Sequence, residues 1–232
     1  MAATPGRGLF APGRFRLLLL SLLLLIVGTA ASPRSEWARL VEFSLLALTI
    51  GIGIAEVRAP GQRRFVPIVL AVCVVLAAVV DYSVPLQHLP LIAGAAVAVF
   101  SGIVIWLTYS AVMRSYRPVG DRIVGAICVF ILIGLGWASV YETLDGVIPG
   151  SFRFPPDTVW MTASSVRYRY FSFVTLATLG YGDITPVTAL AGTLASLEAI
   201  AGQLYIGITV ARLVALSLTD RAEPRQSSKS DI

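Results

Sequence analysis

Six apolar stretches, each close to the length that crosses a lipid bilayer, dominate this chain of 232 residues. A spanning helix needs about 20 mostly apolar residues. Apolar residues make up 56% of the chain and charged residues 13%, about half the charged fraction usual in soluble proteins. A soluble fold cannot bury that much apolar surface, so the sequence predicts an all-α membrane protein. The predicted spans are Leu17–Ala31, Leu40–Ala55, Phe65–Val80, Leu89–Met113, Ile123–Val140 and Val187–Leu218.

The basic residues between these stretches predict the orientation of the chain. If the N-terminus is cytoplasmic, twelve basic residues lie inside and five outside, with Arg212 near the inner end of the last span. This bias is the positive-inside pattern, which predicts a multi-pass protein of the cell membrane with both termini cytoplasmic. Because the basic residues form no contiguous face, nucleic-acid binding is not indicated, whereas membrane lipids are expected partners.

The first 31 residues leave one alternative open. They also resemble a cleavable signal peptide, with a basic start, a Leu-rich run and small residues at Gly28 to Ala31. Cleavage would leave five spans and an external N-terminus. An uncleaved first helix, which gives six spans, is the prediction.

The loop between the fifth and sixth predicted spans differs from the other loops. It begins polar and turn-rich, becomes aromatic from Tyr168 to Phe173, and ends in the sequence Thr-Leu-Gly-Tyr-Gly-Asp at Thr178 to Asp183. The aromatic part is too short and polar to span but too apolar for a free loop. It is interpreted as a re-entrant pore helix, tolerated at membrane depth only inside protein or beside a water-filled cavity.

The glycines after this half-helix indicate what it supports. Glycine adopts positive φ without steric cost, so Gly180 and Gly182 allow an extended backbone with successive carbonyls on one side. Several such segments around one axis stack rings of oxygens that can replace the water around a cation.

The segment Thr178 to Asp183 resembles the selectivity filter of the potassium channel family, in its six-span, single-pore-loop prokaryotic form. The resemblance extends from about Ile123 to Leu218. It implies that carbonyls of Thr178, Leu179, Gly180 and Tyr181, with the Thr178 hydroxyl, bind K⁺ ions. The other implied positions are the filter residue Gly182, Asp183 at the outer mouth, and filter support from Tyr170, Phe171, Val174 and Thr175.

Two positions in the last span have two readings each. Gly202 matches the glycine at which inner helices of the family bend, but glycine also serves simple helix packing. Glu198 is an ionisable residue within a span, which is a functional candidate by default; it could instead make an interhelical polar contact. A further departure is Val174, where some family members carry a Glu that clamps the residue equivalent to Asp183. That clamp is therefore predicted to be absent, which leaves inactivation open.

One filter segment cannot enclose an ion, so a homotetramer is expected unless a related chain substitutes. The predicted fourth span contains no charged residue, so gating is predicted to depend weakly or not at all on voltage.

The expected organisation is a cytoplasmic N-terminus (1–16), four helices without voltage-sensing arginines (17–113), a pore domain (121–218) and a tail (219–232). Within the pore domain it comprises an outer helix (123–140), turret (146–164), pore helix (165–177), filter (178–182) and inner helix (187–218).

The sequence thus predicts a K⁺-selective channel with no cofactor beyond the permeant ion. The alternatives are a non-selective cation channel and a modulatory, non-conducting subunit. A secondary K⁺ transporter is disfavoured because only one pore loop is present. No set of catalytic residues suggests an enzyme.

Overall fold

The computed structural model describes residues 14–31, 101–106, 108–110, 112–113, 119–155 and 164–222. These residues are mostly helical. The helices are α1 (Arg14–Ala31), α2 (Val119–Val147), α3 (Ser164–Leu176) and α4 (Ala189–Ala222), and residues described between 101 and 113 are helical too. The predicted spans at Leu40–Ala55 and Phe65–Val80, and the tail from 223 onward, lie outside the described residues.

Two of the helices that the structure describes are long and apolar enough to cross a membrane. They are Gly120–Val147 within α2 and Ala189–Leu216 within α4. The α3 helix, with 13 residues, is too short to span. The described residues therefore fit an all-α membrane protein.

The helix bounds differ from the predicted ones: α2 ends at Val147, seven residues later than predicted, and local capping decides where α4 and α2 begin. The α4 helix begins at Ala189, two residues later than predicted, because Thr188 caps it: its hydroxyl accepts a hydrogen bond from the Ala191 N–H at 3.3 Å. The α2 helix begins at Val119, four residues earlier than predicted. Pro118 precedes it, and Asp121 in the first turn complements the positive end of the helix dipole.

The α1 helix and the 101–113 segment pack on α2 in opposite directions. Phe15 at the start of α1 contacts Gly125, and the carbonyl of Phe15 accepts a hydrogen bond from Cys128 Sγ at 3.6 Å. At the other end of α1, Thr29 accepts a hydrogen bond from Arg169 of α3. Arg169 follows Tyr168, which bonds Asp145 near the end of α2. Because the start of α1 lies near the start of α2 and the end of α1 lies near the end of α2, the two helices run parallel.

The 101–113 segment contacts the same helix in reverse order. Ser101 lies at Gly136 and Val112 lies at Gly125, so the segment is antiparallel to α2. The core between these helices comprises Phe15, Leu18, Leu22, Val112, Cys128 and Ile131.

A second core holds α3 between α2 and α4. Phe171 packs edge-on against Tyr141 and Phe152, with ring centroids 5.1 and 5.2 Å apart. Phe152 belongs to the two-residue strand β1 (Phe152–Arg153), which pairs antiparallel with β2 (Thr185–Pro186). The predicted turret therefore contains a strand that pairs with the segment just before α4.

Candidate functional site

The end of α3 is capped by the residues that follow it. Thr178 N–H donates to the Thr175 carbonyl at 2.9 Å, and Leu179 N–H donates to the Val174 carbonyl at 2.8 Å. This pair of bonds is a Schellman motif, whose left-handed position falls on Thr178 with φ of 57°. The site predicted to be a filter is therefore anchored directly to the last turn of the pore helix.

A threonine at that position is unusual. Glycine normally occupies it, because a left-handed backbone costs a residue with a Cβ about 1–2 kcal/mol. Thr178 brings a hydroxyl that glycine would lack, and this hydroxyl accepts a hydrogen bond from Gln203 Nε2 of α4 at 3.2 Å. Strain of this kind persists only when surrounding structure holds it, and it clusters at functional sites.

Positive φ recurs at every second residue of the segment. The φ angles are 57° at Thr178, 58° at Gly180 and 76° at Gly182. A β-strand alternates its carbonyls, whereas a backbone that alternates in handedness lets polar groups of successive peptides face one side. Thr178 to Gly182 are all exposed in the single chain, so their backbone carbonyls are accessible to a ligand or to another copy.

The outer end of the segment is held by Asp183. Its Oδ2 accepts a hydrogen bond from the Tyr170 hydroxyl at 2.6 Å, and its Oδ1 accepts one from the Ile184 N–H at 2.9 Å. Burial, followed by the bond to Asp183 and its charge, raises the pKa of Tyr170 to about 12, so the phenol carries its proton at neutral pH. The absence of a glutamate at Val174 thus does not leave Asp183 unclamped, because Tyr170 supplies the donor.

The aromatic residues predicted to support the filter separate into two groups. Tyr170 lies beside Tyr181, with ring centroids 6.3 Å apart. Phe171 faces the other way, into the aromatic core with Tyr141 and Phe152. Adjacent helical residues point about 100° apart, so only one of the two can face the filter segment.

A set of polar contacts joins the flanks of this segment to the end of α2. Asp145, near the end of α2, accepts hydrogen bonds from the Ser151 N–H at 2.8 Å and the Tyr168 hydroxyl at 2.5 Å. The Ser151 carbonyl in turn accepts the Val187 N–H at 2.8 Å. The segment between α3 and α4 is thereby tied to α2 at both of its flanks.

Gly202 lies where α4 passes closest to α3. A Cβ built on it would be 2.3 Å from the Leu176 carbonyl oxygen and 3.0 Å from Leu176 Cδ1. Because α4 is one continuous helix through this position, the contact gives Gly202 a packing role beneath the end of the pore helix. Its role as a gating bend is not tested by this conformation.

Glu198 is fully buried one turn before Gly202. Its carboxyl group contacts the hydroxyls of Tyr141 on α2 and Ser172 on α3. Glu198 therefore makes an interhelical polar contact, and its functional role stays a prediction.

This region of the chain is similar to a known protein family. Residues 127–217 match the protein-family model described as Ion channel. The match runs from α2 through α3 and the Thr178–Asp183 segment into α4, and it supports membership in an ion channel family. No curated protein and no solved structure matches the chain.

Several residues of this region were not singled out from the sequence. They are Tyr141, Asp145, Ser172 and Gln203, each of which bonds a residue distant in the chain. Tyr and Ser are unremarkable in an apolar helix, so no local pattern marks them. Gln203 could have been singled out, because an amide side chain inside a predicted span requires a hydrogen-bond partner.

Proposed function

We propose that this protein is a K⁺-selective channel in which four copies arrange Thr178 to Gly182 around a common axis. The backbone carbonyls of Thr178, Leu179, Gly180 and Tyr181 would replace the hydration shell of the ion, and the Thr178 hydroxyl would form the innermost layer. Asp183 would lie at the outer mouth.

The alternation of positive φ at Thr178, Gly180 and Gly182 carries this proposal. A simple glycine-rich turn would have no reason to place a threonine in a left-handed backbone. A filter has one, because the hydroxyl adds an oxygen layer that glycine cannot provide. The anchoring of Leu179 to the Val174 carbonyl at 2.8 Å supports the same reading, since it fixes the inner end of the segment.

The uncovered surface of α4 supports assembly with further copies. Within the membrane-length windows, 11% of α4 is buried against 44% of α2. Lipid can cover part of an apolar helix, but the exposed filter residues require protein around them at membrane depth. Exposed apolar side chains on α4 include Leu197, Ile200, Leu204 and Ile208. A closed ring of identical subunits covers such surfaces symmetrically.

The helix directions support the proposed topology. With α1 parallel to α2 and the 101–113 segment antiparallel to it, the directions are those that six alternating spans require for the first, fourth and fifth. Positive-inside bias then assigns both termini to the cytoplasm of a cell membrane.

The reversal potential under bi-ionic conditions tests the proposal. Purified protein in bilayers, with K⁺ on one side and Na⁺ on the other, is expected to reverse near the K⁺ equilibrium value. Gly180→Ala and Gly182→Ala should abolish this selectivity, because alanine opposes positive φ at both positions. Gly146→Ala is the matched control: Gly146 is helical, has no atom within 4 Å of its added Cβ, and should leave selectivity unchanged.

Two other outcomes would replace the proposal. A reversal near zero would indicate a non-selective cation pore. Selective current that appears only with a second channel chain, and never with this chain alone, would indicate a modulatory subunit.

A further inference from the structure

Glu198 is the fully buried acidic side chain among the described residues, and it lies at the junction of three helices. Its Oε2 accepts a hydrogen bond from the Tyr141 hydroxyl of α2 at 2.6 Å. Its Oε1 contacts Ser172 Oγ of α3. One carboxyl group of α4 therefore joins the outer helix to the pore helix.

Ser172 has a second oxygen neighbour. Its Oγ is 2.8 Å from the carbonyl oxygen of Gly134, on the same helix as Tyr141. Three oxygen–oxygen contacts thus meet in this cluster: Tyr141 to Glu198, Glu198 to Ser172, and Ser172 to Gly134. Each contact needs one hydrogen between its two oxygens.

A count of hydrogens decides the state of the carboxyl group. Tyr141 and Ser172 supply one hydroxyl hydrogen each, and the Gly134 carbonyl supplies none. With an ionised Glu198, two hydrogens serve three contacts, and one pair of oxygens is left facing without a hydrogen. With a protonated Glu198, the acid donates to Ser172, Ser172 donates to Gly134, and Tyr141 donates to the acid.

The surroundings of Glu198 agree with a neutral group. Tyr141 is the titratable side chain that faces it from α2, and α3 presents the neutral Ser172. None of the described residues pairs a cation with Glu198, and a buried carboxylate without a cation is costly.

The cluster lies directly behind the end of the pore helix. Ser172 precedes Val174 by two residues, and the Val174 carbonyl accepts a hydrogen bond from the N–H of Leu179, the second residue of the filter segment. On the other side of Glu198 along α4, Gly202 contacts the Leu176 carbonyl. The position of α3, and with it the filter, is therefore held by Glu198 and by Gly202 one turn away.

We propose that Glu198 is a neutral carboxylic acid that positions the pore helix by donating a hydrogen bond to Ser172. The protonation state and the packing role concern the folded protein alone. The consequence for conduction rests on the proposed function: loss of this donor lets the pore helix shift, and the filter then leaves its conducting geometry.

Infrared spectroscopy tests the protonation state without any need for current. The difference spectrum between the wild-type protein and Glu198→Gln, both in bilayers at neutral pH, should contain the carbonyl stretch of a protonated carboxyl group. That band should shift on exchange into D₂O. A difference spectrum that shows only carboxylate bands would overturn the proposal, whether or not the protein conducts.

Substitutions test the positioning role. Glu198→Gln keeps one donor for Ser172 and one acceptor for Tyr141, and is expected to conduct like the wild type. Glu198→Ala leaves both partners unsatisfied and should lower the steady-state current per assembled channel at least about tenfold. Ser172→Ala, which removes the contacts of α3 to both Glu198 and the Gly134 carbonyl, should lower the current in the same direction even if Glu198→Ala fails to fold.

Ser196→Ala is the matched control for the serine. Ser196 lies on α4 and donates only to the Gly192 carbonyl of its own helix, at 2.9 Å, so its removal should leave the current unchanged. Equal currents in Glu198→Ala and Glu198→Gln would refute the positioning role. Absence of selective current from the wild type would instead refute the proposed function, and the infrared result would still stand.

Discussion

At the scale of single residues, the short distance between α4 and the end of α3 requires a glycine at Gly202. The space between α4 and the end of α3 contains no room for a side-chain atom, since a Cβ on Gly202 would be 2.3 Å from a backbone oxygen. A flexible side chain could move aside, but the Leu176 carbonyl belongs to the last turn of the pore helix. Any added atom must therefore push two helices apart.

Gly202→Ala is expected to destabilise the protein, by about 1–3 kcal/mol for an overpacked contact. Gly207→Ala is the control: it lies on the same helix, has no atom within 4 Å of its added Cβ, and should be neutral or slightly stabilising. The measurement is the thermal unfolding of both purified variants in detergent, followed by their currents. Equal unfolding temperatures for the two variants would show that α4 does not approach α3 this closely.

At the scale of elements, α1 is an integral part of the helix packing. Its buried residues Leu18 and Leu22 face α2 and the 101–113 segment, while Leu17 and Leu20 are exposed. Its other end reaches the pore helix through the bond between Thr29 and Arg169. An uncleaved first span stays a prediction, and these are the contacts that it would make.

Leu22→Ala is expected to cost about 2 kcal/mol or more through the cavity it leaves, since Leu22 is fully buried. Leu20→Ala, at 62% exposure on the same helix, should cost less than about 0.5 kcal/mol. Unfolding of the two purified variants, with intact mass determined beforehand, measures the difference. Identical stabilities together with a mass that lacks the first 31 residues would show that this segment is cleaved.

At the scale of the whole molecule, the question is whether the membrane field acts on the helices around the pore. A voltage sensor needs charges within the membrane, each worth about 2.3 kcal/mol per 100 mV. The predicted fourth span from Leu89 to Met113 contains no charged residue. Its described part packs apolar side chains such as Val112 against α1 and α2.

The open probability is therefore expected to change little with voltage. Recording from purified channels across a range of potentials measures the conductance–voltage relation. Any weak slope should persist when Arg114 and Arg117, just beyond the span, are both replaced by Gln. A steep relation, with several gating charges per channel, would contradict the expectation.

The region that matches the ion channel family model was predictable because its signals are local. Gly180 and Gly182 mark positive φ through their lack of a side chain, and both adopt it. The apolar runs around Ile123 and Val187 identify helices because a spanning helix satisfies its own backbone. The bounds moved by a few residues where one side chain, such as the capping Thr188, set the first turn.

The contacts between distant residues were not predictable in the same way. The sequence marked Glu198 as unusual but could not choose between function and packing, because its partners Tyr141 and Ser172 are 57 and 26 residues away. The donor for Asp183 was missed for a related reason. A family pattern directed attention to Val174, whereas helix geometry brings Tyr170 to the carboxylate.

Local chemistry thus allowed the sequence by itself to predict the membrane setting, the two long helices α2 and α4, and the positive φ of Gly180 and Gly182. The length of an apolar run, the basic residues that flank it and the missing side chain of a glycine have their effects locally, whatever the rest of the chain does. Only the tertiary structure decided that Tyr170 donates a hydrogen bond to Asp183, that Gly202 packs against Leu176, and that Glu198 joins three helices. Hydrogen bonds and close contacts depend on ångström separations between helices, and packing alone sets those separations.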